Sequence, residues 1–247
     1  MKNSILLFAL FFAALFYTNA QNAHCGFDEH LDKMLAEDPS GIQVIKDRQA
    51  EAATIQHARL AGEVERAGGP RIVPTVFHVI HQGGNENISV AQIEDQIRIL
   101  NEDFSRTNPD AGDTRTEFLP VAANPNIEFR LAKLDPQGNC TDGIVRTWSP
   151  LTFNATDDVK AVSNWPSADY FNVWVVATID NDGEVGTILG YAQFPGFGSA
   201  TTDGVVVRAD YIGSIETGAN NGSAGRTLTH EAGHWLGLFH TFQGGCN

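Results

Sequence analysis

The residues best suited to chemistry stand near the end of the chain. Residues 229 to 240 read Thr229-His230-Glu231-Ala232-Gly233-His234-Trp235-Leu236-Gly237-Leu238-Phe239-His240, a His-Glu-x-x-His pattern extended through x-x-Gly-x-x to a third histidine. On an α-helix His230 and His234 lie about 40° apart around the axis and about 6 Å along it, so both imidazoles can converge on one tetrahedral metal ion. Glu231 beside them can reach a water at that ion. His240 is six residues past His234, and a continuing helix would rotate it about 240° onto the wrong face. The helix must stop first, and Gly237 supplies the stop, because glycine takes the left-handed conformation that ends a helix. Three neutral imidazoles with an open fourth position describe a catalytic zinc site, whereas structural zinc sites are closed by four protein ligands, usually with cysteines. Incidental histidines on an ordinary buried helix would match these five positions on the order of once in 10⁴ to 10⁵ such chains. A zinc protease with a downstream glutamate as third ligand would not need Gly237 and His240. His78 and His81, three apart on a strand-like run, point to opposite faces. They are expected to be one core and one surface histidine, with no metal.

The helix that carries this pattern needs a scaffold, and the preceding sequence supplies one. Gly68-Gly69-Pro70 breaks the chain, and Ile72 to Ile80 is rich in strand formers. Ser89 followed by Gln92 is a capping-box pattern, and Ile93, Ile97, Leu100 and Phe104 recur at three- and four-residue spacing, which predicts an amphipathic helix from Val90 to Ser105. Further strands are expected at Ile127 to Leu131, Phe171 to Ile179 and Gly204 to Arg208. One more, at Gly186 to Phe194, is interrupted by Gly190, as edge strands often are. The fold class is therefore α/β, one mixed twisted sheet packed on two helices. Residues 28 to 66 are charged and Ala-rich with a sparse apolar pattern, and read as weakly packed helices.

The extended zinc motif resembles that of the metzincin metallopeptidases, and its surroundings resemble the pappalysin family in particular. The likeness includes Gly225 to Thr229, Trp235-Leu236-Gly237-Leu238 and His240-Thr241-Phe242. Upstream it includes Pro74 to Ile80, Leu100-Asn101-Glu102-Asp103-Phe104, Leu134 to Gly138, Gly190-Tyr191-Ala192 with Pro195, and Asp203-Gly204-Val205-Val206. The resemblance implies zinc ligation by His230, His234 and His240, with Glu231 as the general base in peptide-bond hydrolysis. By analogy, the strand containing Gly190, Tyr191 and Ala192 would pair with extended substrate. It implies a protein or peptide substrate and a metzincin-like catalytic domain over residues 67–247. Metzincins carry a methionine turn, and this family a nearby tyrosine, beyond the third histidine. Only seven residues follow His240 and the only methionines are Met1 and Met34. The lower subdomain is thus expected to be mostly missing and the catalytic domain incomplete at its C-terminal end, and little or no peptidase activity is expected of the chain as written. Calcium, which family members bind in that part, falls on no residue here. The alternative from another class is a catalytically silent secreted binding domain, against which the intact Glu231 argues.

The N-terminus reads as an export signal over residues 1–20: Lys2, the apolar run Ile5 to Phe16, and Thr18-Asn19-Ala20 before the expected cleavage. The run is too short to span a membrane. Asn22-Ala23-His24 lacks the apolar residue that a lipid-anchored Cys25 would need. The 247 residues carry a net charge of −14, which gives no electrostatic footprint for nucleic acid. A secreted, extracellular protein without membrane contact after signal removal is expected. Three cysteines, Cys25, Cys140 and Cys246, cannot all pair with one another. Cys246 is expected to pair with a cysteine beyond Asn247, a Cys140 to Cys246 bridge being the alternative. Residues 21–66 are expected to be a prosegment, because His24-Cys25-Gly26-Phe27-Asp28 resembles the cysteine-switch segments of some metzincin zymogens. Cys25 would be the latency ligand, unless it pairs with Cys140 or an external thiol. Cleavage after Arg59 or Arg66 would then activate the enzyme.

Overall fold

The run of strand formers after Pro70 becomes the strand from which the rest of the sheet is built. The computed structural model describes residues 23–60, 68–183, 185–219 and 221–242, with residues 59 and 60 by backbone alone. The export signal, Arg66, the boundary at residue 67 and Cys246 with its expected pairings lie outside the described residues. The elements in sequence order are β1 (Ala23–Cys25), α1 (Phe27–Glu37), α2 (Gly41–Leu60), β2 (Arg71–His81), α3 (Val90–Ser105), β3 (Ile127–Leu131), β4 (Ile144–Trp148), β5 (Phe171–Val176), β6 (Thr187–Ala192), β7 (Val205–Arg208) and α4 (Arg226–Trp235). The sheet runs β1-β6-β7-β5-β2-β3, and β4 also pairs with β2. β2 is long enough to hold β3 along Arg71 to Thr75 and β4 along Phe77 to His81, with β5 alongside from Thr75 to Val79. All of these pairs are parallel. β6 joins β7 antiparallel, and β1 joins β6 parallel.

Two helices cover one face of the sheet. Ile93 and Leu100 of α3 and Leu228 and Ala232 of α4 are buried in one cluster with Phe77, Val79, Phe171, Val173, Val175, Val205 and Val207. The opposite face carries Ile80, Trp174, Val176, Tyr191 and Val206, closed over by Ala155 and Val159. A third cluster joins Phe27 and Leu31 of α1 to Phe194 and Phe197. Helix α2, by contrast, leaves most of its length exposed, as its sparse apolar pattern predicts.

Three expectations need correction. Ser89 caps α3 by accepting from the Gln92 amide at 3.0 Å, but Gln92 does not reach back to close a capping box. Its side chain is buried and donates to the carbonyl of Ile212 at 2.8 Å, because α3 must satisfy the polar backbone of the loop packed against it. The strand at Phe171 stops at Val176. The backbone there turns so that the Ala177 and Thr178 amides donate to the Thr152 carbonyl. Finally, β6 is not the edge of the sheet, since β1 occupies that side. Its glycine answers to a close approach within the molecule.

His78 and His81 separate as their spacing predicts: His78 is fully buried and His81 is half-buried. The His78 ring stacks on Trp174 at 5.4 Å, its Nε2–H donates to Asn172 Oδ1 at 2.9 Å, and its Nδ1 accepts from Ser163 Oγ at 2.8 Å. Asn172 Oδ1 also accepts the Trp165 amide, which fixes it as the acceptor and His78 as the neutral Nε2–H tautomer. Burial holds the His78 pKa down to about 4. A folded-state pKa below the unfolded one gives stability that is complete above about pH 6.5 and is lost as pH falls toward 4, here on the order of 3 kcal/mol. Urea unfolding of the full chain should show that loss. His78→Gln should be less stable at pH 7 yet lose less on acidification, and an equal acid loss in both proteins would exclude His78 as its source.

Candidate metal centre

Helix α4 is anchored at both ends. Its N-cap, Gly225, has φ +76°, and a Cβ there would lie 2.4 Å from Ile99 Cδ1, so only glycine allows α4 to approach α3 this closely. Gln96 holds the same point, donating to the Gly225 carbonyl at 3.0 Å. Asp103 of α3 accepts from Thr229 Oγ1 at 2.8 Å and faces Arg226 Nε at 3.3 Å. At the far end Gly237 has φ +94°, the Gly237 amide donates to the His234 carbonyl at 2.8 Å, and the Leu238 amide donates to the Gly233 carbonyl at 2.9 Å. These two bonds make a Schellman closure, the stop that the position of His240 requires.

The turn brings His240 back beside the helix. The Nε2 atoms of His230 and His234 are 2.9 Å apart, and each is 3.1 Å from Nε2 of His240. Nitrogens around a tetrahedral ion at about 2.0–2.1 Å would be about 3.3 Å apart, so the three converge at nearly ligand spacing. Their protonation is constrained from behind. His234 Nδ1 lies 2.7 Å from the Leu238 carbonyl, and His240 Nδ1 lies 3.1 Å from Asp28 Oδ2. Both Nδ1 atoms must donate, which leaves both Nε2 atoms bare. A proton on His230 can bridge one contact, but the His234 to His240 contact then sets lone pair against lone pair. A cation among the three removes that repulsion, and the donor set suits a divalent transition metal. Burial lowers the pKa of His234 to about 4 and also lowers that of His230, keeping those two imidazoles neutral as ligands must be.

A fourth donor comes from the other end of the sequence. Cys25, at the end of β1, places its sulfur with the three imidazoles so that all four donor atoms lie within 4.8 Å of one another. Burial pushes the Cys25 thiol far up, and Glu231 adds to the effect. A divalent cation reverses that preference by binding the thiolate. The segment is held by more than Cys25. The Gly26 amide donates to the Gly190 carbonyl at 2.9 Å, and the Phe27 ring lies flat on His234 at 3.9 Å. Among the described residues Cys25 and Cys140 are both free, so they do not pair with each other.

Glu231 is buried, and burial pushes its pKa up to about 8, opposed by its hydrogen bond with Cys25. Its Oε2 has no hydrogen-bond partner among the described residues. Gly190 makes room for it, since a Cβ there would lie 3.0 Å from Glu231 Cγ and 3.1 Å from the Val206 carbonyl. The structure therefore brings together His230, Glu231, His234, His240, Cys25 and Gly190. Tyr191 points to the opposite face, where its hydroxyl donates to Asp157 at 3.0 Å, and Ala192 is buried in the core beneath α4. Phe27 and Asp28 were given no role by sequence reasoning. Their signal was adjacency to Cys25, but their contacts with His234 and His240 span more than 200 residues and leave no local pattern.

A family model described as pregnancy-associated plasma protein-A, of the M43 peptidases, matches residues 154–247. An extracellular metalloprotease of Colletotrichum graminicola is 30% identical over 216 residues, covering 83% of this chain and 62% of the relative. One from Verticillium alfalfae is 33% identical over 184 residues, covering 70% and 53%. The chain thus spans little more than half the length of the curated relatives it matches. Among solved structures, mature mirolysin of Tannerella forsythia in complex with a cleaved peptide is 38% identical with a TM-score of 0.62, covering 71% of this chain and 66% of that one. A promirolysin mutant from the same organism is 32% identical with a TM-score of 0.68, covering 90% and 70%. The chain belongs to the pappalysin family of metzincin metallopeptidases.

Proposed function

We propose that this chain is the zymogen form of a secreted zinc metalloendopeptidase, with His230, His234 and His240 as ligands and Glu231 as the general base. The observation that carries the reading is the pair of bare Nε2 atoms of His234 and His240 held 3.1 Å apart. When bound, zinc supplies Lewis-acid polarisation of the scissile carbonyl and makes water a nucleophile near neutral pH. Glu231 takes a proton from the attacking water, with Oε2 as the oxygen that has no partner among the described residues, and returns it to the leaving amine. Peptide substrate is supported by the cleaved peptide bound to mature mirolysin, and secretion by relatives named as extracellular. Among the described residues no helix is long and apolar enough to cross a membrane.

Residues 21–66 are the prosegment of this reading, 67–247 the catalytic part, and Cys25 the latency ligand. Three observations support it. The sulfur of Cys25 joins the imidazole cluster. β1 occupies the side of β6 where an extended substrate would add, and the Gly26 amide just after it donates to the Gly190 carbonyl. Coverage of this chain rises from 71% against mature mirolysin to 90% against the promirolysin mutant. Loss of the prosegment opens that backbone edge, with Gly190 at its centre and Tyr191 and Ala192 continuing the strand.

Metal analysis of the full chain should find one zinc, lost on His230→Ala or His234→Ala. In a full-length, processed enzyme Glu231→Ala should retain zinc and lose at least about 10²-fold in activity through loss of the general base. Wild-type turnover by that zinc-loaded variant would disprove the assigned role.

Cys25→Ala in the full-length zymogen should speed autoprocessing and give activity before cleavage. The check is a time course of cleavage by gel and mass spectrometry, and a course identical to that of the native protein would reject the switch.

A further inference from the structure

The three imidazoles differ in how their outward nitrogens are held. His234 donates to the Leu238 carbonyl, a partner built into the turn that ends α4. His240 instead has the carboxylate of Asp28, at 3.1 Å and 212 residues away in sequence. Asp28 lies in the first turn of α1, beside Phe27, which is fully buried and stacked on His234. The second oxygen of Asp28, Oδ1, is buried and has no hydrogen-bond partner among the described residues. A carboxylate that served only to cap α1 would turn its oxygens to the helix amides. This one is aimed at a ligand.

We infer that Asp28 is a positioning residue for the metal, fixing the ring of His240 from behind so that the zymogen holds its ion more tightly than the processed enzyme does. The inference rests on the reading of His230, His234 and His240 as ligands. A carboxylate behind a ligating histidine sets the tautomer, fixes the ring plane and strengthens the imidazole as a donor, and removing such a partner lowers metal affinity by roughly 10- to 100-fold. Cys25 and Asp28 stand on the same side of the proposed cleavage point. One cut therefore removes the fourth donor together with the support of the third. Metal loading should precede cleavage, because the intact protein is the form with the complete set of contacts.

The bland alternative is that Asp28 contributes only a favourable negative charge at the N-terminus of α1. Glu29 shares that helical turn, with its carboxylate facing His24 at 3.6 Å, and so supplies the control. Zinc affinity of the full chain is measured by competition with a chromogenic chelator for the native protein, Asp28→Asn, Asp28→Ala, Glu29→Gln and His240→Ala. The same proteins are loaded with Co²⁺, whose thiolate charge-transfer band reports whether Cys25 stays bound. The inference expects both Asp28 variants to lose roughly 10- to 100-fold in zinc affinity while keeping the cobalt–thiolate band, and Glu29→Gln to change by less than about threefold. Unchanged affinity in Asp28→Ala, or a loss matched by Glu29→Gln, or a loss accompanied by disappearance of the band, would each overturn it. If His240→Ala itself bound zinc normally, the ligand assignment would fail instead. That outcome is distinct from an Asp28 without effect beside a His240→Ala that cannot bind.

Discussion

Two bare imidazole nitrogens held 3.1 Å apart are a local conflict that the rest of the fold must sustain. Nothing in helix propensity or core packing favours that arrangement, and the surroundings have to over-determine it. They do so from several directions. Leu228 and Ala232 bury the inner side of α4 in the main core, Gln96 and Asp103 hold its first turn against α3, and the Gly237 closure fixes its last. Trp235 adds a lateral brace, donating from Nε1 to Asp203 at 2.9 Å while its ring packs on Phe171 at 4.2 Å. His230 and His234 are thereby fixed by a rigid helix, and His240 by the turn that ends it.

Glu231 shows the same economy of space. It points from α4 toward β6, and a Cβ at position 190 would crowd its Cγ at 3.0 Å and the Val206 carbonyl at 3.1 Å. The position read from the sequence as an interruption of a strand is thus the point of close approach to Glu231 on the neighbouring helix. Gly190 also carries the carbonyl that receives the Gly26 amide. One residue therefore couples the place of the Glu231 carboxylate to the backbone edge that β1 occupies. A side chain there would disturb both.

What was legible in the sequence was local in origin. The span Val90 to Ser105 was readable because Ser89 and the apolar stripe are both within one helix, and the end of α4 because Gly237 and His240 together admit only one path. Strand β4 went unseen, since Ile144 to Trp148 is short, partly exposed and held only by pairing with the upper half of β2. Gln92 was misread because its partners, the loop carbonyls of Ala209 and Ile212, lie well over 100 residues away. Asp28 was passed over for the same reason. The histidine set could be read from spacing, but the groups that orient those histidines are tertiary.

On the proposed reading, the direction of β1 bears on how a peptide segment can rest in a cleavage site without being cut. β1 runs parallel to β6, and its register shifts between His24 and Cys25, where the sulfur turns toward the imidazoles. At Phe27 the backbone coils into α1, and the His30 amide already donates to the Gly26 carbonyl at 3.0 Å. The Gly26 carbonyl is thus committed to a helix bond, and the Gly26 amide to the Gly190 carbonyl. Attack on a carbonyl requires it to be free to rehybridise beside the base, and a carbonyl engaged in a helix is not. On the proposed reading latency follows from backbone geometry as well as from the occupied fourth position. Removal of the thiol frees the fourth position, and β1, the Phe27 stack and α1 then slow the entry of a substrate without preventing it.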